Sequence, residues 1–150
     1  MAFGALLAQA MDEHPLLVFL RGDLGTGKTT LARGFLQGRG YRGAVRSPTY
    51  TLVEPYELFP VPVYHLDLYR LADAEELEFL GGREIFSGEN QVLVEWPDKG
   101  QGWLPPPDLE LWLTHEDGGR GISLQAHTDP GRLVLGRISD ARGFRNSPSG

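Results

Sequence analysis

Cysteine is absent from the 150 residues, which removes disulfides, thiolate metal sites and cysteine nucleophiles together. Basic charge is scarce: 14 Lys and Arg stand against 20 Asp and Glu, a net charge of −6 with a pI near 5.1. A protein that grips a nucleic-acid backbone unaided shows a basic surface, because phosphate neutralisation supplies most of the affinity. This composition therefore leaves any contact with nucleic acid to a partner. No apolar run approaches the ~18 residues a membrane span needs. The opening MAFGALLAQAMDEH lacks the basic start of a secretory signal, so no membrane association and a cytoplasmic location are expected.

The chain is 41% hydrophobic and 23% charged, ordinary for a globular protein, while 20 Gly and 11 Pro predict many tight turns. One domain is expected over residues 1–139, followed by a polar, disordered tail over 140–150. Residues 2–11 have helical composition, with Phe3, Leu6, Leu7 and Ala10 on one face. LLVFL (16–20) is a short continuous apolar run, as a strand buried on both faces requires. TTLARGFLQ carries a helical stripe of Leu31, Phe35 and Leu36 and is ended by Gly38 and Gly40. RGAVRSPTY (42–50) reads as an exposed loop. TLVEPYELF and VPVYHLDLY read as strands joined around Pro60, DAEELEFLG as a helix from an Asp73 N-cap to Leu80, and QVLVEW as a buried strand halted by Pro97. LELWLTH and GISLQAH alternate apolar and polar residues around the turn signal EDGGRG, which predicts a hairpin.

Between LLVFL and the TTLARGFLQ helix lies RGDLGTGKTT. Gly22, Gly27, Lys28 and Thr29 satisfy G-x-x-x-x-G-K-[ST], with an extra Gly25. Glycines let successive backbone N–H groups point into one concavity, and the following helix N-terminus adds partial positive charge. Lys28 is a mobile charge for β- and γ-phosphates, and the Thr29 hydroxyl suits Mg²⁺. Buried strand before and amphipathic helix after are the context that separates a phosphate loop from a chance glycine turn. Gly22, Asp23, Leu24, Gly25, Thr26, Gly27, Lys28, Thr29 and Thr30 are thus the expected triphosphate contacts. No N-K-x-D-like guanine-recognition stretch exists, and the D-x-x-G at 140–143 lies in the polar tail, so ATP is the expected nucleotide. The fold expected around such a loop is α/β: a P-loop NTPase-like three-layer arrangement, mainly parallel in its central sheet, with an antiparallel C-terminal hairpin.

In open α/β sheets, ligands sit outside the carboxyl ends of the strands. Asp67 and Glu95 end two further strands, where an acid can hold Mg²⁺ or orient water; capping the next element is the plainer alternative for each. His65 shares a strand face with Asp67, and a histidine there is more often a hydrogen-bonded structural group than a catalyst. Trp96 is either core or a wall of the site. Ser47, Thr49 and Tyr50, on a segment stiffened by Pro48, occupy the place of a P-loop switch, or form a plain solvated turn.

GDLGTGKTT, RSPTYTLV, YHLDLYRL and LVEWP, in that order, resemble the TsaE (YjeE) family of small bacterial P-loop ATPases. The resemblance covers 16–97 strongly and extends in pattern to about residue 128. It implies ATP on the 22–30 loop, Thr29 and Glu95 on Mg²⁺, Thr49 in a first switch, Asp67 as the Walker B acid, Glu95 as the acid most needed for hydrolysis, and Trp96 beside the nucleotide. It also implies a role in the threonylcarbamoyl modification of adenosine 37 in tRNA. There, weak ATP hydrolysis would reset a complex of TsaD and TsaB, with tRNA touched only through those partners. Arg46 and Arg70, near these motifs, are the in-chain candidates for an arginine finger. A small-molecule kinase would use the same loop, but the arginine-rich lid it commonly brings is not evident. A non-catalytic nucleotide sensor is the third reading.

Overall fold

The computed structural model describes residues 3–23, 25–116 and 119–142. Helix α1 (Phe3–Met11) precedes strand β1 (Leu17–Arg21), which feeds through the glycine loop into α2 (Lys28–Gly38). β2 (Val53–Tyr56) and β3 (Val63–Asp67) follow, then two single-turn helices, α3 (Glu76–Phe79) and α4 (Gly82–Ile85). β4 (Gln91–Glu95), a 3₁₀ turn (Pro97–Gly100), β5 (Leu109–Glu116), β6 (Gly119–Ala126) and α5 (Asp129–Arg142) complete the chain.

One six-stranded sheet runs in the order β2-β3-β4-β1-β5-β6. β3, β4, β1 and β5 are parallel, while β2 and β6 pair antiparallel at the two edges. The continuous apolar run of β1 has its reason in two covered faces. Val18 and Leu20 join Leu7, Phe35, Leu36, Val134 and Ile138 beneath α1, α2 and α5. Leu17 and Phe19 join Leu66, Leu77, Ile85 and Val94 on the opposite face, beneath α3 and α4. The result is the expected three-layer α/β fold. Each fully buried Leu or Phe is worth about 1.5–3 kcal/mol of transfer free energy, so these two clusters are the main support of the sheet.

Helix α2 stops as its glycines predict. The Gly40 N–H donates to the Gln37 carbonyl at 3.0 Å and the Tyr41 N–H to the Leu36 carbonyl at 3.0 Å, with Gly40 at φ +92°. This is the Schellman arrangement, which satisfies carbonyls the helix leaves open.

Three expectations need correction. The helix placed over 73–80 is shorter, starting after Glu75, while the Asp73 carboxylate accepts the Glu75 N–H at 3.0 Å in a preceding turn; a second turn of helix, α4, follows. Trp96 is not the last residue of a strand: β4 ends at Glu95, and Trp96 turns left-handed with φ +56° and ψ +52°. The boundary expected at 139 falls inside α5, which continues through 140–142 because Val134, Ile138 and Ser139 are buried and the Arg137 guanidinium donates to the Ala10 carbonyl at 3.0 Å. The rest of the predicted tail, 143–150, lies outside the described residues, as does the hairpin turn at 117–118. No helix among the described residues is long and apolar enough to cross a membrane.

Candidate functional site

Four parallel strands end on one edge of the sheet, and their register decides what meets there. Leu20 of β1 lies opposite Glu95 of β4, and Glu95 opposite Asp67 of β3. The glycine loop leaves β1 at this edge and turns directly into α2. Its glycines adopt φ of +145° at Gly22, +79° at Gly25 and +98° at Gly27. At Gly22 a side chain is excluded on two counts: the backbone angle, and a Cβ position 2.5 Å from the Leu113 carbonyl oxygen and 2.7 Å from Thr26 Oγ1. Thr26 is buried, and its hydroxyl donates to the Asp23 carbonyl at 2.7 Å, closing the loop on itself.

A cleft of about 510 Å³ opens beside this loop, lined by Gly25, Gly27, Lys28, Thr29, Thr30, Thr49, Asp67, Tyr69, Arg70, Glu95 and Trp96. Gly22, Asp23 and Thr26 instead line a second cleft of about 510 Å³ across the loop, with Trp96, Trp112 and His115. Trp96 borders both. Leu24 lies outside the described residues. Of the two arginines singled out by sequence, Arg70 lines the first cleft, its guanidinium 4.9 Å from the centroid of the Tyr50 ring. Arg46 does not; its backbone N–H donates to the Tyr56 hydroxyl at 3.2 Å.

The Lys28 ammonium donates to the Gly22 carbonyl and stands 3.7 Å from the centroid of the Trp96 ring. Burial lowers the Lys28 pKa, against the opposing pull of Glu95, Asp67 and Asp23. The Thr29 hydroxyl lies 3.5 Å from each Glu95 carboxylate oxygen, longer than an ordinary O–H···O bond. Glu95 itself is 2% exposed. Burial raises the Asp67 pKa, although the Tyr69 N–H, donating to Oδ1 at 3.1 Å, works the other way. Thr49 enters the cleft wall with its hydroxyl 2.7 Å from that of Ser47.

Two features escaped sequence reasoning. Tyr69 lines the cleft and tilts against Trp96, ring centroids 4.9 Å apart; its position two residues after Asp67 was the available signal. His65 Nε2 lies 2.6 Å from Glu95 Oε2, a contact no linear spacing announces.

Chemically, the loop has the shape and charge to cradle an anion, with the Lys28 cation and the α2 N-terminus beside it. Thr29, Glu95 and Asp67 offer only oxygen, the donor type of a hard divalent cation. Among the described residues no cluster of three or more His, Cys, Asp or Glu side chains is placed to hold a metal by itself. A cation here would need ligand and water oxygens to complete its shell, as Mg²⁺ beside phosphates does.

Comparison with known proteins identifies the family. The family model described as "Threonylcarbamoyl adenosine biosynthesis protein TsaE" matches residues 1–122. The tRNA threonylcarbamoyladenosine biosynthesis protein TsaE of Haemophilus influenzae is 48% identical over 138 residues, covering 92% of this chain and 87% of that protein. Its namesake in Bacillus subtilis is 44% identical over 123 residues, covering 81% and 77%. The crystal structure of Bacillus subtilis YdiB superposes with a TM-score of 0.76 at 29% identity, covering 94% of this chain and 88% of that one. The chain belongs to the TsaE family of threonylcarbamoyl adenosine biosynthesis proteins.

Proposed function

We propose that this protein binds ATP with Mg²⁺ and hydrolyses it slowly, as an accessory to the threonylcarbamoyl modification of adenosine 37 in tRNA. It acts on a TsaD–TsaB complex, sustaining turnover, and meets tRNA only through those partners. The observation that carries the reading is the convergence of Lys28, Thr29, Asp67 and Glu95 on one cleft at the mouth of the glycine loop. The net charge of −6 supports the indirect relation to tRNA.

Backbone N–H groups of the loop and the α2 N-terminus hold the triphosphate oxygens. Lys28 leaves the Trp96 ring to neutralise charge on the β- and γ-phosphates. Mg²⁺ would be held by Thr29 and Glu95 together with phosphate oxygens, and it supplies charge stabilisation there. Water attacks the γ-phosphorus in line; its oxygen bonds to phosphorus as the bond to the β-phosphate bridging oxygen breaks, giving ADP and inorganic phosphate. Glu95 orients that water or the metal shell, and Asp67 adds negative charge from the neighbouring strand. Thr49, at the cleft wall on the loop after α2, reports the γ-phosphate as a switch residue.

The test is phosphate release from ATP with no added acceptor, alone and with TsaD and TsaB, alongside tRNA modification followed over many turnovers. Glu95→Ala is expected to keep ATP binding and lose hydrolysis. Wild-type turnover by that variant removes Glu95 from its role. Phosphate release that needs an added acceptor identifies a kinase instead.

A further inference from the structure

Glu95 is held from behind. His65 Nε2 is 2.6 Å from Glu95 Oε2, His65 is fully buried and Glu95 nearly so. The parallel register produces the contact: His65 pairs with Leu93 and Asp67 with Glu95. His65 and Glu95 are therefore diagonal neighbours, on the face of the sheet that carries Val63, Leu93 and the α2 cluster. The imidazole does not line the cleft, so it cannot meet a phosphate or a water there except through Glu95. Its other nitrogen, Nδ1, is buried without a hydrogen-bond partner among the described residues. The ring thus directs its polar contact through Nε2 alone, and a carboxylate can only accept, so Nε2 carries the proton.

We propose that His65 is a positioning residue for Glu95: its Nε2–H fixes the carboxylate beside the Thr29 hydroxyl, in the orientation that ATP hydrolysis uses. This rests on the ATPase reading above. A free glutamate has three side-chain torsions, and Thr29, at 3.5 Å from both oxygens, is too distant to select one orientation. A displacement of about 1 Å at a reacting centre costs on the order of a hundredfold in rate, so the second anchor matters to the chemistry more than to nucleotide affinity.

Two conservative variants separate positioning from packing. His65→Gln places an amide nitrogen near the position of Nε2; His65→Asn places it near Nδ1, out of reach of Glu95. The expected result is that His65→Asn lowers kcat at least tenfold with KM for ATP changed less than threefold, while His65→Gln stays within threefold of wild type in both. A readout apart from turnover is the affinity for a non-hydrolysable ATP analogue with and without Mg²⁺. With Mg²⁺ present, that affinity is expected to stay within threefold of wild type in both variants, so that the loss in His65→Asn is confined to kcat. Long-range ¹H–¹⁵N spectra of the unsubstituted protein, which need no variant to fold, are expected to show the proton on Nε2. The proposal is overturned by a proton on Nδ1 alone, by wild-type kcat in His65→Asn, or by equal losses in both variants. Failure of the ATPase reading shows separately, as an unsubstituted protein that hydrolyses no ATP with or without TsaD and TsaB, and it takes this proposal with it.

Discussion

The ammonium of Lys28 stands 3.7 Å from the centroid of the Trp96 ring, so the loop's cation rests on the aromatic that follows β4. A cation–π contact of this kind is worth about 0.5–2 kcal/mol, small beside a charge-assisted bond to a triphosphate. Nucleotide is therefore expected to draw Lys28 off the ring. The chain has three tryptophans; in the Trp103→Phe/Trp112→Phe double variant, the emission of Trp96 alone should change on addition of ATP with Mg²⁺. Unchanged emission alongside binding heat in a calorimeter would mean that the lysine stays where it is.

Gly22 tolerates no side chain, because its Cβ would fall 2.5 Å from the Leu113 carbonyl oxygen. Gly22→Ala must push the loop away from β5. At about 1–3 kcal/mol of strain on the cradle, ATP affinity is expected to fall by roughly 5- to 150-fold, read by calorimetry. Undiminished affinity would show that the loop's shape does not set the binding.

Asp67 has its pKa raised by burial, from an ordinary 3.8. Its ionised form is thus less favourable in the folded chain than in the unfolded one. The resulting destabilisation is full above the raised value and vanishes below 3.8, where both states are protonated. Asp67→Asn keeps an oxygen for the Tyr69 N–H and is expected to stabilise the nucleotide-free protein at pH 7, with the gain shrinking as pH falls. Denaturant unfolding at pH 7 and pH 4.5 measures this; a variant less stable at pH 7 contradicts it.

Gly4 is where α1 lies against α2: a Cβ there would sit 2.1 Å from the Leu31 carbonyl oxygen and 2.7 Å from the Phe35 nitrogen. Gly4→Ala is expected to cost about 1–3 kcal/mol by overpacking, lowering the melting temperature by roughly 2–12 °C. Gly136→Ala in α5, whose added Cβ would meet nothing within 4 Å, is the matched control and should not destabilise. Equal melting temperatures for the two variants would mean that α1 is not held as closely as described.

Much of the candidate site is local, and local features are legible in a linear text. The glycine loop is one contiguous stretch whose glycines, lysine and threonine stand within eight positions of one another. Leu16–Leu20 announces a strand covered on both faces, and Gly40 announces the end of α2. Asp67 and Glu95 are readable as strand-end acids because a parallel sheet delivers all such ends to one edge. α5 went unread because Pro130, Gly131 and Gly136 interrupt the pattern of Leu133, Val134, Leu135 and Ile138, and its stability comes from docking on the sheet and α1.

The amino-acid order by itself determined which residues could bind an anion and which strands would be buried, since periodicity and backbone freedom are properties of neighbours in the chain. Only the tertiary structure decided that β3 lies beside β4 in the register that sets His65 against Glu95, and that a left-handed turn at Trp96 brings its ring over Lys28. Those pairs are 30 and 68 residues apart. Strand order and register arise from burying two faces of one sheet at once, a condition on the whole chain that no short segment carries.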